Sequence, residues 1–94
     1  MNLNEDQLET IHKAGALLLP PSLVAINLEV DELDFLNEVR NRQSPIHKAY
    51  YSGYLEQLSE TRAAIIKSAR NGSNPAQLEV LKFIQEITRQ LKYE

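Results

Sequence analysis

A chain of 94 residues makes one small domain with limited room for a core. Its apolar share of 43% argues for folding over disorder, but aromatic residues supply only 6%, so aliphatic side chains must do most of the packing. The absence of cysteine excludes a disulfide framework, a thiolate nucleophile and cysteine-ligated zinc. The net charge of −3 is unevenly spread: residues 1–43 hold three bases (Lys13, Arg40, Arg42) against eight acids, a balance of −5, while residues 44–94 hold seven bases against five acids.

Residues 1–6 open with acids where a secretory leader would be basic. The longest apolar run, Ala14 to Leu19, stops at Pro20-Pro21, far short of the ~20 residues that span a bilayer. A cytoplasmic address with no membrane contact is expected. Almost no stretch alternates with period two, so the expected class is all-α.

Asn4 is a good cap for a first helix, with Glu5 and Asp6 favourably placed against its dipole. Leu8, Ile11, Gly15 and Leu18 or Leu19 recur at spacings of three and four and predict one buried face; Pro20 must end the helix. Ser22 can cap a short second helix in which Leu23, Val24, Ile26 and Leu28 carry the apolar load. Asp31 is the expected cap of a third helix over Glu32–Arg40, where Leu33, Leu36 and Val39 repeat at spacing three beside Phe35. Three short helices within residues 1–43 read as a helix-turn-helix-like head.

Arg40 to Gln43 is a polar linker, and Ser44-Pro45 is a strong opening for a fourth helix that continues to Asn71, where Gly72 supplies a stop. That helix is roughly 40 Å long at ~1.5 Å per residue. Its apolar stripe runs Ile46, Tyr50, Tyr54, Leu58, Ile65 and Ala69, widened by Tyr51, Leu55 and Ile66. Ser73-Asn74-Pro75 opens a fifth helix, with Asn74 and Gln77 in capping-box relation. Leu78, Leu81, Ile84, Ile87 and Leu91 recur along it, with Val80 and Phe83 alongside. The short connection forces helices four and five into a long antiparallel hairpin over residues 44–94.

A helix paired with one partner needs a single apolar stripe about 100° wide, and helix five exceeds that. The surplus predicts a homo-oligomer joined through the hairpin, with Tyr50, Tyr51, Tyr54, Leu58, Ile65, Ile66, Leu81, Ile84, Ile87 and Leu91 as candidate interface residues. Gly53, inside a helix, marks a close helix–helix approach.

Chemistry is sparse. His12 and His47 lie far apart without a second ligand at metal spacing and read as surface or boundary histidines. Glu56 and Glu60 read as a solvated face, and Ser44, Ser52 and Ser59 have no identifiable His or Asp company. There is no glycine-rich phosphate loop. Neither an enzyme, a cofactor nor a metal is expected. Arg40, Arg42 and Lys48, with Lys13 as an outlier on the first helix, are the candidate contacts to DNA phosphates; the plainer alternative is that they complement a helix dipole and aid solubility. Asn27 or Asn37 would suit a base edge.

The order of parts also carries a resemblance. Residues 21–31 (Pro-Ser-Leu-Val-Ala-Ile-Asn-Leu-Glu-Val-Asp), Asp34-Phe-Leu, residues 44–54 from Ser44-Pro-Ile to Ser-Gly-Tyr54, and Asn71-Gly-Ser-Asn-Pro-Ala-Gln77 before a last helix resemble the small terminase subunits of tailed bacteriophages. The resemblance implies a DNA-recognising helix-turn-helix head, a hairpin that assembles subunits into a ring, and a role in DNA packaging inside a bacterial host cell. It implies two partners, double-stranded DNA and the large terminase subunit. Because residues 31–34 are Asp-Glu-Leu-Asp, phosphate contact is expected at the basic joint between head and hairpin. A dimeric helix-turn-helix regulator, and an adaptor whose acidic head docks a basic protein, are the alternatives.

Overall fold

Asn4 and Gln7 lock the start of the first helix. In a computed structural model that describes residues 1–93, the Gln7 N–H donates to Asn4 Oδ1 (2.8 Å) and the Asn4 N–H donates to Gln7 Oε1 (2.9 Å). From there α1 (Glu5–Ala16), α2 (Pro21–Leu28), α3 (Glu32–Arg40), α4 (Pro45–Arg70) and α5 (Asn74–Tyr93) follow, and the described residues contain no strand. The protein is all-helical.

The ends of the helices follow local chemistry. α1 stops at Ala16, before Pro20 requires it, because Leu18 turns into the left-handed region (φ 59°) and the Leu19 N–H folds back to the Ala14 carbonyl. That turn swings Leu18 and Leu19 outward, so neither extends the buried face expected for them. α2 begins at Pro21 with Pro20 in the cap position and no side-chain cap, so Ser22 lies inside the helix and is not its cap. α3 uses Asp31 as expected, its carboxylate accepting from the Asp34 N–H at 3.0 Å. Ser44 Oγ accepts from the Ile46 N–H at the start of α4. Gly72, at φ 95°, reverses the chain after α4. Ser73, not Asn74, supplies the cap of α5, which places Asn74 inside the helix. Gln77 therefore makes no capping box; its amide reaches across the turn to the Ala69 carbonyl, which also accepts the Gly72 N–H at the end of α4.

Two compact units share the chain, Met1–Leu58 and a second from Ser59 onward. The first is built around Ile11 and Ala14 of α1, Val24 and Ala25 of α2, Phe35 and Val39 of α3, and Ile46 and Tyr50 of α4. On α3 the core positions are Phe35 and Val39, four apart; of the spacing-three row only Val39 is buried, Leu36 is half-buried, and Leu33 is 64% exposed. On α2 the core takes Val24 and Ala25, leaving Leu23 and Ile26 outside.

The division falls inside α4, beyond the linker at residues 41–43, because two glycines fasten the first half of α4 to α1. A Cβ on Gly15 would collide with the Tyr50 carbonyl, and one on Gly53 with the backbone of His12 and Ala16. Only two hydrogen atoms at the crossing allow the backbones so close. The Tyr50 hydroxyl spans the same seam, donating to the Leu19 carbonyl at 2.8 Å.

In the second unit the chain doubles back antiparallel. Arg62 of α4 stacks over the Phe83 ring (4.3 Å to its centroid) and donates to the Glu86 carboxylate at 3.2 Å. Ile65, Ile66 and Ala69 of α4 and Ala76, Val80 and Phe83 of α5 are half-buried; from Ser59 to Lys92 no residue is buried.

Candidate functional site

α5 turns Val80 and Phe83 toward α4 and sends the longer apolar row outward. Leu78, Leu81, Ile84, Ile87 and Leu91 are each more than half exposed, in a run with spacings of three and four. The width of the apolar arc makes this unavoidable: one neighbouring helix covers one side, and the rest faces solvent. Fully burying a Leu or Ile contributes about 1.5–3 kcal/mol, so roughly half of that remains ungained at each of five positions. A shallow groove of about 430 Å³ on this face is lined by Ile84, Gln85, Thr88, Arg89 and Lys92, so apolar surface is edged by positive charge.

The other expected interface residues divide between the units. Tyr50 is buried in the core of the first unit and offers no free surface. Burial, with the nearby Tyr51 and Tyr54 adding to it, pushes its hydroxyl pKa above the ordinary 10.0. Tyr51 and Tyr54 remain open and continue an aromatic ladder from His47, with ring centroids 4.5 Å (His47–Tyr51) and 6.0 Å (Tyr51–Tyr54) apart. Its lower end is fixed, because the His47 Nδ1–H donates to the Val39 carbonyl. Leu58, Ile65 and Ile66 are half-buried.

Of the four candidate DNA contacts, Arg40, Arg42 and Lys48 gather at the α3–α4 joint, all exposed and in no ion pair among the described residues. Lys13 stands apart on α1, paired with Glu9 at 3.5 Å. The outward side of α3 presents Leu33, Asn37 and Arg40, and Asn27 is exposed on α2. Asp31 is engaged as a cap, but Glu32 and Asp34 stay exposed beside this surface.

One constellation escaped the sequence altogether. His12 of α1 receives Ser52 at Nδ1 (2.8 Å) and Glu56 at Nε2 (2.9 Å), both from α4. Since a carboxylate only accepts, Nε2 carries a proton. The Ser52 hydroxyl also lies 3.1 Å from the Ala49 carbonyl, so its single proton serves either that oxygen or Nδ1. The connectivity Ser–His–Glu is that of a nucleophilic triad with the ring nitrogens exchanged. An acyl-transfer site also needs free donors for the oxyanion, and the N–H groups around Ser52 are spent in the ladder of α4. What the trio does is bracket the glycine crossing, tying α1 to α4 by side chains where the backbones touch. No signal in the sequence joins residue 12 to residues 52 and 56, because only the crossing at Gly15 and Gly53 brings them together.

No group of three or more His, Cys, Asp or Glu among the described residues is placed to hold a metal ion, and no described helix is long and apolar enough to cross a membrane. Compared with protein-family models, with curated proteins and with solved structures, the chain finds no match.

Proposed function

We propose that this protein is a self-assembling DNA-recognition protein of the small-terminase kind, in which the hairpin joins copies together and the head of each copy is presented to duplex DNA. The observation that carries this reading is the second unit, in which no residue from Ser59 to Lys92 is buried: five large aliphatic side chains of α5 face outward on a unit that has no core of its own. A helix pair of this kind gains its stability from tertiary cover, and a second copy supplies that cover. DNA contact is assigned to Arg40, Arg42 and Lys48, with Asn37 nearest to a base edge on the outward side of α3. A first unit with four bases against nine acids binds phosphate weakly by itself, so repetition of the site supplies the affinity. On this reading the assembled heads hand DNA to a large packaging subunit.

Two measurements test it. Light scattering over a range of concentration should give a mass of several chains; a dimer favours a transcriptional regulator, and a monomer removes the assembly reading. A salt titration of duplex binding should lose slope, by about 0.9 per phosphate contact, when Arg40 and Arg42 are both replaced by alanine. An unchanged slope and affinity would make the basic joint a solubility feature. The surplus of acids on the first unit favours one second reading, an adaptor that docks a basic protein; salt-independent failure to bind any duplex would select it.

A further inference from the structure

The assembly reading leaves open what covers α5, and the first unit carries a surface suited to it. From Pro21 to Leu28 α2 has no charged side chain, yet only Val24 and Ala25 are buried. Leu23 and Ile26 stand 53% and 67% exposed. Six of the eight α2 residues are apolar, more than one covered side can bury, so Leu23 and Ile26 are left as apolar surface beside the exposed Asn27. We propose that the outer face of α5 in one copy is filled by the α2 face of the next copy's head, so that copies join head to hairpin rather than hairpin to hairpin. The inference rests on the assembly reading and specifies its interface.

Charge and size both favour this occupant. α2 leads directly into Glu29, Asp31 and Glu32, all exposed, whereas the groove on α5 is edged by Arg89 and Lys92. Over whole units the contrast persists: residues 1–58 hold four bases against nine acids, and residues 59–94 hold six bases against four. Two hairpins brought together repel weakly, while a head and a hairpin attract, which aids encounter and fixes the choice of partner. α2, with 8 residues, is about 12 Å long, close to the ~10 Å between Ile84 and Leu91 along α5. Leu23 and Ile26, three apart, match the spacing of Leu81, Ile84 and Ile87. Such a contact is heterologous. Every copy spends one head face and one hairpin face, and the series continues until it closes on itself.

Complementation between two surface variants tests the pairing. One carries Leu23→Lys with Ile26→Lys, the other Ile84→Asp with Ile87→Asp; all four residues are more than half exposed, so neither core is touched. Circular dichroism checks the helices, and light scattering reads the mass of each variant and of an equimolar mixture. Each alone should lose self-association by roughly 100-fold, as expected for removal of two interface anchors. The mixture should form a one-to-one dimer that grows no further, because one intact pair of faces survives. If the head variant keeps the wild-type mass, hairpins pair with hairpins: the docking inference falls and the assembly reading stands. If both variants are monomeric and the mixture stays so, the docking inference falls. A wild-type chain that is monomeric at every concentration overturns both. Should the aspartate variant lose its helices, charge exchange decides instead. Arg89→Glu with Lys92→Glu should weaken association, and Glu29→Lys with Glu32→Lys in the same chain should restore it; failure to restore overturns the pairing.

Discussion

The unit Met1–Leu58 and the unit that follows it are both helical, but they hold together by different means. In the first, Phe35 and Ile11 are entirely enclosed, two helices touch backbone to backbone at Gly15 and Gly53, and Tyr50 is pinned by a hydrogen bond. In the second, no residue from Ser59 to Lys92 is buried, a guanidinium stacks over an aromatic ring and pairs with Glu86, and the five Leu and Ile side chains of α5 face outward. Helix content therefore says little about where stability resides. A short helix with two enclosed side chains can be fixed more firmly than a long one that encloses none.

The contrast is sharpest for matched truncations. Phe35→Ala should cost about 3–5 kcal/mol, the range for emptying a core of a large aromatic, whereas Ile84→Ala in dissociated chain should stay within about 0.5 kcal/mol. Urea unfolding of the two variants at low protein concentration measures both. Equal losses would mean that α5 is covered within its own chain. Gly53→Ala comes next, with an expected loss of about 3 kcal/mol, because the added methyl meets the backbone of α1 and not the end of a flexible side chain. Thermal melting should show the first unit opening early, and a melt unchanged from wild type would refute the close crossing.

A smaller effect is expected at His12. Its links to Ser52 and Glu56 lie in partly exposed surroundings, with the His12 side chain 39% open, so His12→Ala should cost about 1 kcal/mol or less. The same substitution should leave assembly unchanged, since His12 contacts Ser52 and Glu56 of α4 and touches neither the outer face of α2 nor α5. An effect of similar size concerns Tyr50. Its hydroxyl pKa is raised on folding, so the unfolded chain releases this proton first. The stabilisation it gives is complete below pH ~10 and declines as pH climbs toward the folded value. Tyr50→Phe should flatten that alkaline decline, at a loss near 1 kcal/mol for the bond to Leu19. A decline of unchanged steepness in the variant would assign it to other tyrosines.

Much of the helical layout was legible in the sequence, because its signals are local. Asn4, Asp31, Ser44-Pro45 and Gly72 act on neighbours within four residues, and each does what its chemistry dictates. The same local pattern misled where a rival stood beside it. Asn4 with Gln7 and Asn74 with Gln77 offer identical spacing, yet Ser73 displaces Asn74 from the cap. Choosing the buried side of a helix required knowledge of its neighbours. On α5 the longest apolar row turned out to face solvent, as did Leu23 and Ile26 of α2 and Leu33 of α3, while Val24 and Ala25, Phe35 and Val39, and Val80 and Phe83 point inward. The bracket of Ser52, His12 and Glu56 was beyond reach for the same reason: it joins residues that only a tertiary crossing makes neighbours. The basic joint was legible because Arg40, Arg42 and Lys48 are close along the chain itself.

The meeting of Gly15 and Gly53 also constrains how this protein can drift over generations. Most of its exposed positions tolerate replacement one at a time, so the surface can lose all likeness to an ancestor while the fold persists. The two glycines have no such freedom. A side chain at either strikes backbone on the opposite helix, and no change at the other can make room, because glycine has nothing left to give up. Descendants that keep this crossing must inherit both glycines together, and a lineage that loses one must rebuild the contact between α1 and α4.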